Sequence, residues 1–132
     1  MKYSELVVWQ KAMELVEEVY RLTQQFPNEE KFGLTSQIRR AAVSIPANIA
    51  EGHGRKYTNA YQNHLSIANG SLMELETLVQ ISNRLNMVNK VSQILVLQLT
   101  EEIGKMLAGL RKSLDQVNRD PKSSIPNPKI RS

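Results

Sequence analysis

With 132 residues, 41% of them apolar and 23% charged, the chain is long enough for one domain with a real core, and its composition is that of a folded protein rather than a disordered one. No apolar run approaches the roughly eighteen residues of a membrane span, and the absence of cysteine excludes disulfides, zinc–thiolate sites and thiol catalysis. The net charge of +4 is unevenly placed: residues 31–56 carry five basic side chains against one acidic and residues 111–132 carry six against two, whereas residues 1–30 carry three against six.

Met1 to Glu5 shows no apolar leader ahead of a cleavage site, so the expected location is cytoplasmic. Residues 4–25 predict a first helix with Ser4 as its N-cap. Leu6, Trp9, Met13, Val16 and Tyr20 form one apolar stripe, and Ala12, Leu15, Val19, Leu22 and Phe26 form a second beside it. Pro27 stops this helix. After the polar connection Asn28 to Gly33, a second helix starts between Leu34 and Ser36 and ends at Gly52 or Gly54. Its core stripe is Ile38, Ala41, Ala42, Ile45 and Ile49, while Val43, Pro46, Ala47 and Ala50 make another face, small and apolar. Pro46 removes one backbone hydrogen bond, which predicts either a helix kinked there or two short helices broken at Ser44–Ile45.

Tyr57 to Leu85 predicts the third helix, capped by Thr58 or Asn59, with Tyr61, Leu65, Ala68, Leu72, Leu75 and Val79 on one face and Ile67, Leu78, Ile81 and Leu85 widening it. Gly70 lies mid-helix, where it costs about 1 kcal/mol against alanine, and this predicts a close helix approach. Asn86 to Asn89 is a turn. Residues 90–116 predict the fourth helix, with Val91, Ile94, Leu95, Leu99, Ile103, Met106, Leu107, Leu110 and Leu114 on its apolar side. Residues 119–132 hold three prolines and no periodicity and read as a basic, flexible tail. The expected architecture is therefore all-α: an antiparallel up-down-up-down four-helix bundle over residues 1–118, its second helix kinked near Pro46. The first two helices carry more apolar surface than a lone bundle hides, which predicts a homo-oligomer joined through Trp9, Val43, Pro46, Ala47 and Ala50.

Signals for chemistry are weak. His53 and His64 are eleven residues apart and lack a second ligand at helical spacing, and His64 is expected to face solvent, so no metal is predicted. Glu74 and Glu76 diverge by about 200° on a helix and cannot act as a carboxylate pair. Gly52-His53-Gly54-Arg55 follows a helix rather than a strand, which argues against a nucleotide cradle. No cofactor is predicted and the chain reads as non-enzymatic. Glu51 sits unfavourably at a helix C-terminus, where Arg40, Arg55 or the amides opening the third helix would offset it. Arg39 and Arg40 point about 100° apart, so both cannot face the core. Together with Arg55, Lys56 and Lys31 they are the predicted phosphate contacts. Tyr57 and Tyr61 are the aromatics nearest the basic exit, too few for base-specific readout.

Leu6…Trp9-Gln10-Lys11-Ala12, the run from Gln37 to Gly52 (QIRRAAVSIPANIAEG) and Ile67-Ala68-Asn69-Gly70-Ser71…Glu74-Leu75-Glu76 resemble the proteins encoded within intervening sequences of bacterial 23S ribosomal RNA genes. The likeness covers residues 3–116. It implies an up-down-up-down bundle assembling into a ring, commonly a pentamer. The same residues are similar to the accessory protein of diversity-generating retroelements, a basic pentameric barrel that binds nucleic acid and contacts a reverse transcriptase. Two functions are then open: a ring that binds RNA through phosphates, or a ring that recruits a protein partner with its arginines holding subunits together.

Overall fold

A computed structural model describes residues 1–118 of the chain. Four helices follow in order: α1 (Val7–Thr23), α2 (Leu34–His53), α3 (Thr58–Arg84) and α4 (Lys90–Asn118). α1 packs on α2 and α4, and α3 packs on α2 and α4, with the α2–α3 contact the most extensive. Paired contacts fix the antiparallel registers: Thr23 meets Arg39, Ser44 meets Ser71, Gln62 meets Arg111, and Lys11 meets Glu102. This is the predicted four-helix bundle. The segment 119–132, read above as a tail, lies outside the described residues.

Each helix buries a stripe at 3–4 spacing. α1 contributes Val8, Ala12, Leu15, Val19 and Leu22, with Leu6 and Phe26 closing its two ends. α2 contributes Ile38, Ala41, Ala42, Ile45 and Ile49, and α3 contributes Tyr61, Leu65, Ala68, Leu72, Leu75 and Val79. In α4 the buried phase is Val96, Thr100, Ile103, Leu107, Leu110 and Leu114. Full burial of each such aliphatic side chain is worth about 1.5–3 kcal/mol.

Several local readings change. Ser4 lies inside a single 3-10 turn, Tyr3–Glu5, and α1 begins after Leu6 without a side-chain cap. The Ser4 carbonyl instead accepts from Gln10 Nε2 (3.0 Å). Thr58 is the first residue of α3 rather than its cap. α2 runs unbroken through Pro46, so the two-helix alternative is excluded. Val91, Ile94 and Leu95 are out of phase with the α4 core and exposed, Val91 by 68%, while Val96, absent from the predicted stripe, is buried. At the α3–α4 turn, Asn86 takes a left-handed conformation (φ 59°) and Met87 N–H reaches the Ser82 carbonyl (2.9 Å), the closing bond of a Schellman turn. Asn89 then caps α4 by accepting from Val91 N–H (2.8 Å) and Ser92 N–H (3.3 Å).

The close helix approach occurs at Gly52, not at Gly70. A Cβ on Gly52 would stand 2.8 Å from His64 Cβ and 2.9 Å from Tyr61 Cδ1, whereas a Cβ on Gly70 would meet nothing within 4 Å. Below Gly52, Tyr61 is fully buried and edge-on to the His53 ring (centroids 5.9 Å apart). Its hydroxyl has no hydrogen-bond partner among the described residues, and burial pushes the phenol up to about 12.

Two outcomes are expected. Gly70→Ala raises unfolding free energy by about 0.5–1 kcal/mol in urea, through the glycine entropy it removes, while Gly52→Ala lowers it. An unfolded tyrosine loses its proton near pH 10, but folded Tyr61 keeps it to about 12. Its contribution to stability is therefore intact below pH 10 and is lost as pH rises towards 12, by up to about 3 kcal/mol. Urea titrations across this range show a shallower fall for Tyr61→Phe than for the natural chain.

Candidate nucleic-acid interface

Arg39 and Arg40 stand in the second turn of α2 and Arg55 and Lys56 follow its end, about 24 Å on at 1.5 Å per residue, and the structure treats them differently. Arg39 is half-buried and occupied within the chain: its Nε donates to Thr23 Oγ1 (2.8 Å) and its guanidinium lies 4.4 Å from the centre of the Tyr20 ring. It ties α1 to α2. Arg40, one residue on, is exposed and lines an open groove of about 400 Å³ between α2 and α3 with Gln37, Ser44, Ser71 and Glu74. Lys31, in the α1–α2 connection, is exposed beside Phe32, with its Nζ 5.5 Å from the ring centre. Arg55 and Lys56 are exposed at the opposite end of α2, and Lys56 lies over the Tyr57 ring.

The α2–α3 seam is polar on its outer side. Asn48 Nδ2 donates to the Ser44 carbonyl (2.9 Å) and to its hydroxyl (3.0 Å), and Ser71 Oγ donates to Ser44 Oγ (2.9 Å). His64 continues the seam rather than facing solvent; its side chain is only 17% exposed. Arg55 Nε–H donates to His64 Nε2 (3.2 Å), which makes that nitrogen the acceptor and puts the ring proton on Nδ1. Nδ1 in turn lies 3.1 Å from Asn48 Oδ1 and 3.6 Å from Glu51 Oε2. Glu51 thus lies beside His64, beyond hydrogen-bond distance. This chain of contacts runs from Ser44 to Glu51 on α2 and from Ser71 to His64 on α3, and Arg55 is joined to it through His64.

The predicted contact face between copies is partly free. Val43 is 45% exposed, Ala47 is exposed, and Ala50 and Trp9 are half-buried. Pro46 is buried by the chain's own helices. On α1 the stripe next to α2 keeps Met13 and Tyr20 exposed, and Trp9 is flanked by Tyr3 with ring centres 5.4 Å apart. Of the two aromatics near the basic exit, Tyr57 is exposed but Tyr61 is sealed in the core, so Tyr61 cannot serve as a stacking platform.

Sequence reasoning passed over three residues here. Phe32 is 88% exposed, the most exposed large apolar side chain of the described residues; its signal was an aromatic within a polar connection. Arg111 and Lys112 line a groove between α3 and α4 at the same end of the bundle as Arg55 and Lys56. Their signal was a pair of cations out of phase with Leu107, Leu110 and Leu114. Among the described residues no group of three or more His, Asp or Glu side chains could hold a metal, and no helix is long and apolar enough to cross a membrane.

Residues 4–109 match the family model described as 23S rRNA-intervening sequence protein. A crystal structure of a protein with unknown function from the S23 ribosomal protein family of Bacteroides thetaiotaomicron is similar to the chain, with a TM-score of 0.72 and 25% sequence identity over 80% of this chain and 99% of that one. No curated protein is significantly similar. The matched span takes in α1, α2 and α3 whole and most of α4, including the run from Gln37 to Gly52 on which the bundle closes, and so the chain belongs to the 23S rRNA-intervening sequence protein family.

Proposed function

We propose that the chain is a non-enzymatic helical protein that assembles with copies of itself, as a pentameric ring, and binds RNA in the cytoplasm through phosphate contacts. The observation that carries this reading is the outward side of α2. From Ala41 to Ala50 it has no charged residue, and Val43 and Ala47 stand exposed on it. Exposed Arg40 bounds this stretch at one end, and Glu51, followed by exposed Arg55 and Lys56, bounds it at the other. An apolar strip of this kind favours a partner surface over water, and a closed ring would repeat the flanking cations around its rim. Family membership supports RNA as the anion, and the likeness to the nucleic-acid-binding accessory barrel of diversity-generating retroelements points the same way.

One observation takes Arg39 out of both readings. Arg39 is already committed to Tyr20 and Thr23, so it acts as a brace between α1 and α2. The phosphate contacts then fall to Arg40, Arg55 and Lys56, with Lys31 secondary. The exposed Val91, Ile94 and Leu95 on the first turns of α4 are a second apolar surface, suited to a protein partner.

Light scattering after size exclusion is expected to give an oligomer for the natural chain and a monomer for Val43→Glu or Ala47→Glu, with helical content retained; a monomeric natural chain overturns the assembly. In a gel shift at about 50 mM salt the natural chain retards structured RNA with little sequence preference, and the complex weakens steeply as salt rises to about 200 mM. Absence of any shift at the lower salt overturns the RNA reading.

A further inference from the structure

The groove between α3 and α4 is an open concavity of about 660 Å³, within the size range of sites that take small ligands or a few residues of a polymer. Its α3 wall is polar throughout: Asn59, Gln62, Asn63 and Ser66 present amides and a hydroxyl along about 10 Å of helix. Its α4 wall carries Arg111, Lys112 and Asp115, with Ala108 leaving the floor low.

Gln62 organises the groove. Its Nε2 donates to the Arg111 carbonyl (2.7 Å) and to Asp115 Oδ1 (3.2 Å), so the one carboxylate present is held by an amide. Neither Arg111 nor Lys112 makes an ion pair or side-chain hydrogen bond among the described residues, although Asp115 follows at helical spacing. This distinguishes them from Lys11, Arg21 and Lys105, each of which is paired with a glutamate, and from Arg39 and Arg55, which are engaged by neighbours. The other side of α4 is the reverse in sign. There the concavity shared with α1 is rimmed by Glu14, Glu17, Glu18 and Glu102, four carboxylates against the two cations, Lys11 and Arg21, that pair with them. A polyanion approaching α4 is therefore repelled from one flank and drawn to the other.

We infer that the α3–α4 groove is the seat of an RNA backbone, with Arg111 and Lys112 neutralising adjacent phosphates and Asn63 and Ser66 bonding to ribose hydroxyls or base edges. Guanidinium and ammonium groups hold phosphate oxygens, and amides and hydroxyls, which both donate and accept, suit the 2′-hydroxyl. Arg55 and Lys56 at the same end extend the cationic track beyond the groove. The inference rests on the RNA reading above and relocates its centre from α2 to the α3–α4 flank.

The test is fluorescence anisotropy with a labelled single-stranded RNA of about twenty nucleotides and a hairpin of similar length, each titrated with full-length chain at several salt concentrations. Arg111→Gln/Lys112→Gln is expected to weaken binding at least about tenfold at low salt and to lower the salt slope by about 1–2, the signature of two lost phosphate contacts. Asn63→Ala is expected to weaken binding severalfold with the slope unchanged and to reduce the preference for RNA over DNA of the same sequence. All variants keep the natural thermal midpoint, since these side chains lie outside the core. If the natural chain binds RNA and the double variant binds within twofold of it, the groove assignment falls and the RNA reading stands. If the natural chain binds no RNA, both fall. If polyglutamate binds as tightly as RNA and is lost in the same variant, the groove serves an acidic protein segment and the assignment is overturned.

Discussion

The structure depends on how closely α2 lies on α3. Gly52 allows this: any larger residue would drive a methyl into His64 and Tyr61. Once the helices are that close, the Ser44–Ser71 and Asn48–His64 contacts come within hydrogen-bond reach and set the register of the pair. Tyr61 is then sealed beneath His53, its hydroxyl without a hydrogen-bond partner among the described residues. A buried polar group without a partner costs about 1–3 kcal/mol, and the core accepts that cost where α2 and α3 meet. Pro46 adds another, because the Ala42 carbonyl loses its usual helical donor. Tertiary packing of Ile45, Pro46 and Ile49 against the other helices offsets it and keeps α2 continuous through the proline.

The same closeness decides which chemistry reaches the surface. With the core-facing side of α2 buried and its α3 side stitched by amides and hydroxyls, what remains outward is small and uncharged between Arg40 and Glu51. His64, drawn into the seam, accepts from Arg55 and sits beside Glu51, so a histidine, a carboxylate and a guanidinium that are spread over fourteen residues of sequence become one cluster. Charge is also sorted by helix face. The α1–α4 flank carries Glu14, Glu17 and Glu18 of α1 and Glu102 of α4, whereas the α3–α4 flank carries Arg111 and Lys112 of α4, which gives one bundle two flanks of opposite character. Small net charge and strong local sorting are compatible because solvent screening confines each field to about 10 Å at moderate salt.

Much of this was legible in the residues. The α2 stripe, the second α1 stripe and the α3 stripe from Tyr61 to Val79, the stop before Pro27, the turn at Asn86 to Asn89 and the antiparallel order follow from periodicity, breakers and short connections, all of which are local, whereas Ile67, Ile81 and Leu85, expected to widen the α3 face, are exposed. The run from Gln37 to Gly52 was specific enough to point to the family. The misreadings share one cause. Val91, Ile94 and Leu95 are apolar and helical in spacing, yet the phase of α4 is set by the longer series from Val96 to Leu114, and the first turn was carried outside by it. Gly70 and Gly52 are equally plain as letters, and only the position of the neighbouring helix tells which one is a contact.

Sequence by itself determined the four helices, their order and the excess of apolar and basic residues around α2, because those depend on neighbours within a turn or two. Tertiary structure alone decided which cations are spent and which remain available. Arg39 is consumed by Thr23 and Tyr20, whereas Arg111 and Lys112 have no ion pair among the described residues and stand in a polar groove, because a side chain's partners are chosen by residues far away in sequence that packing brings within a few ångströms.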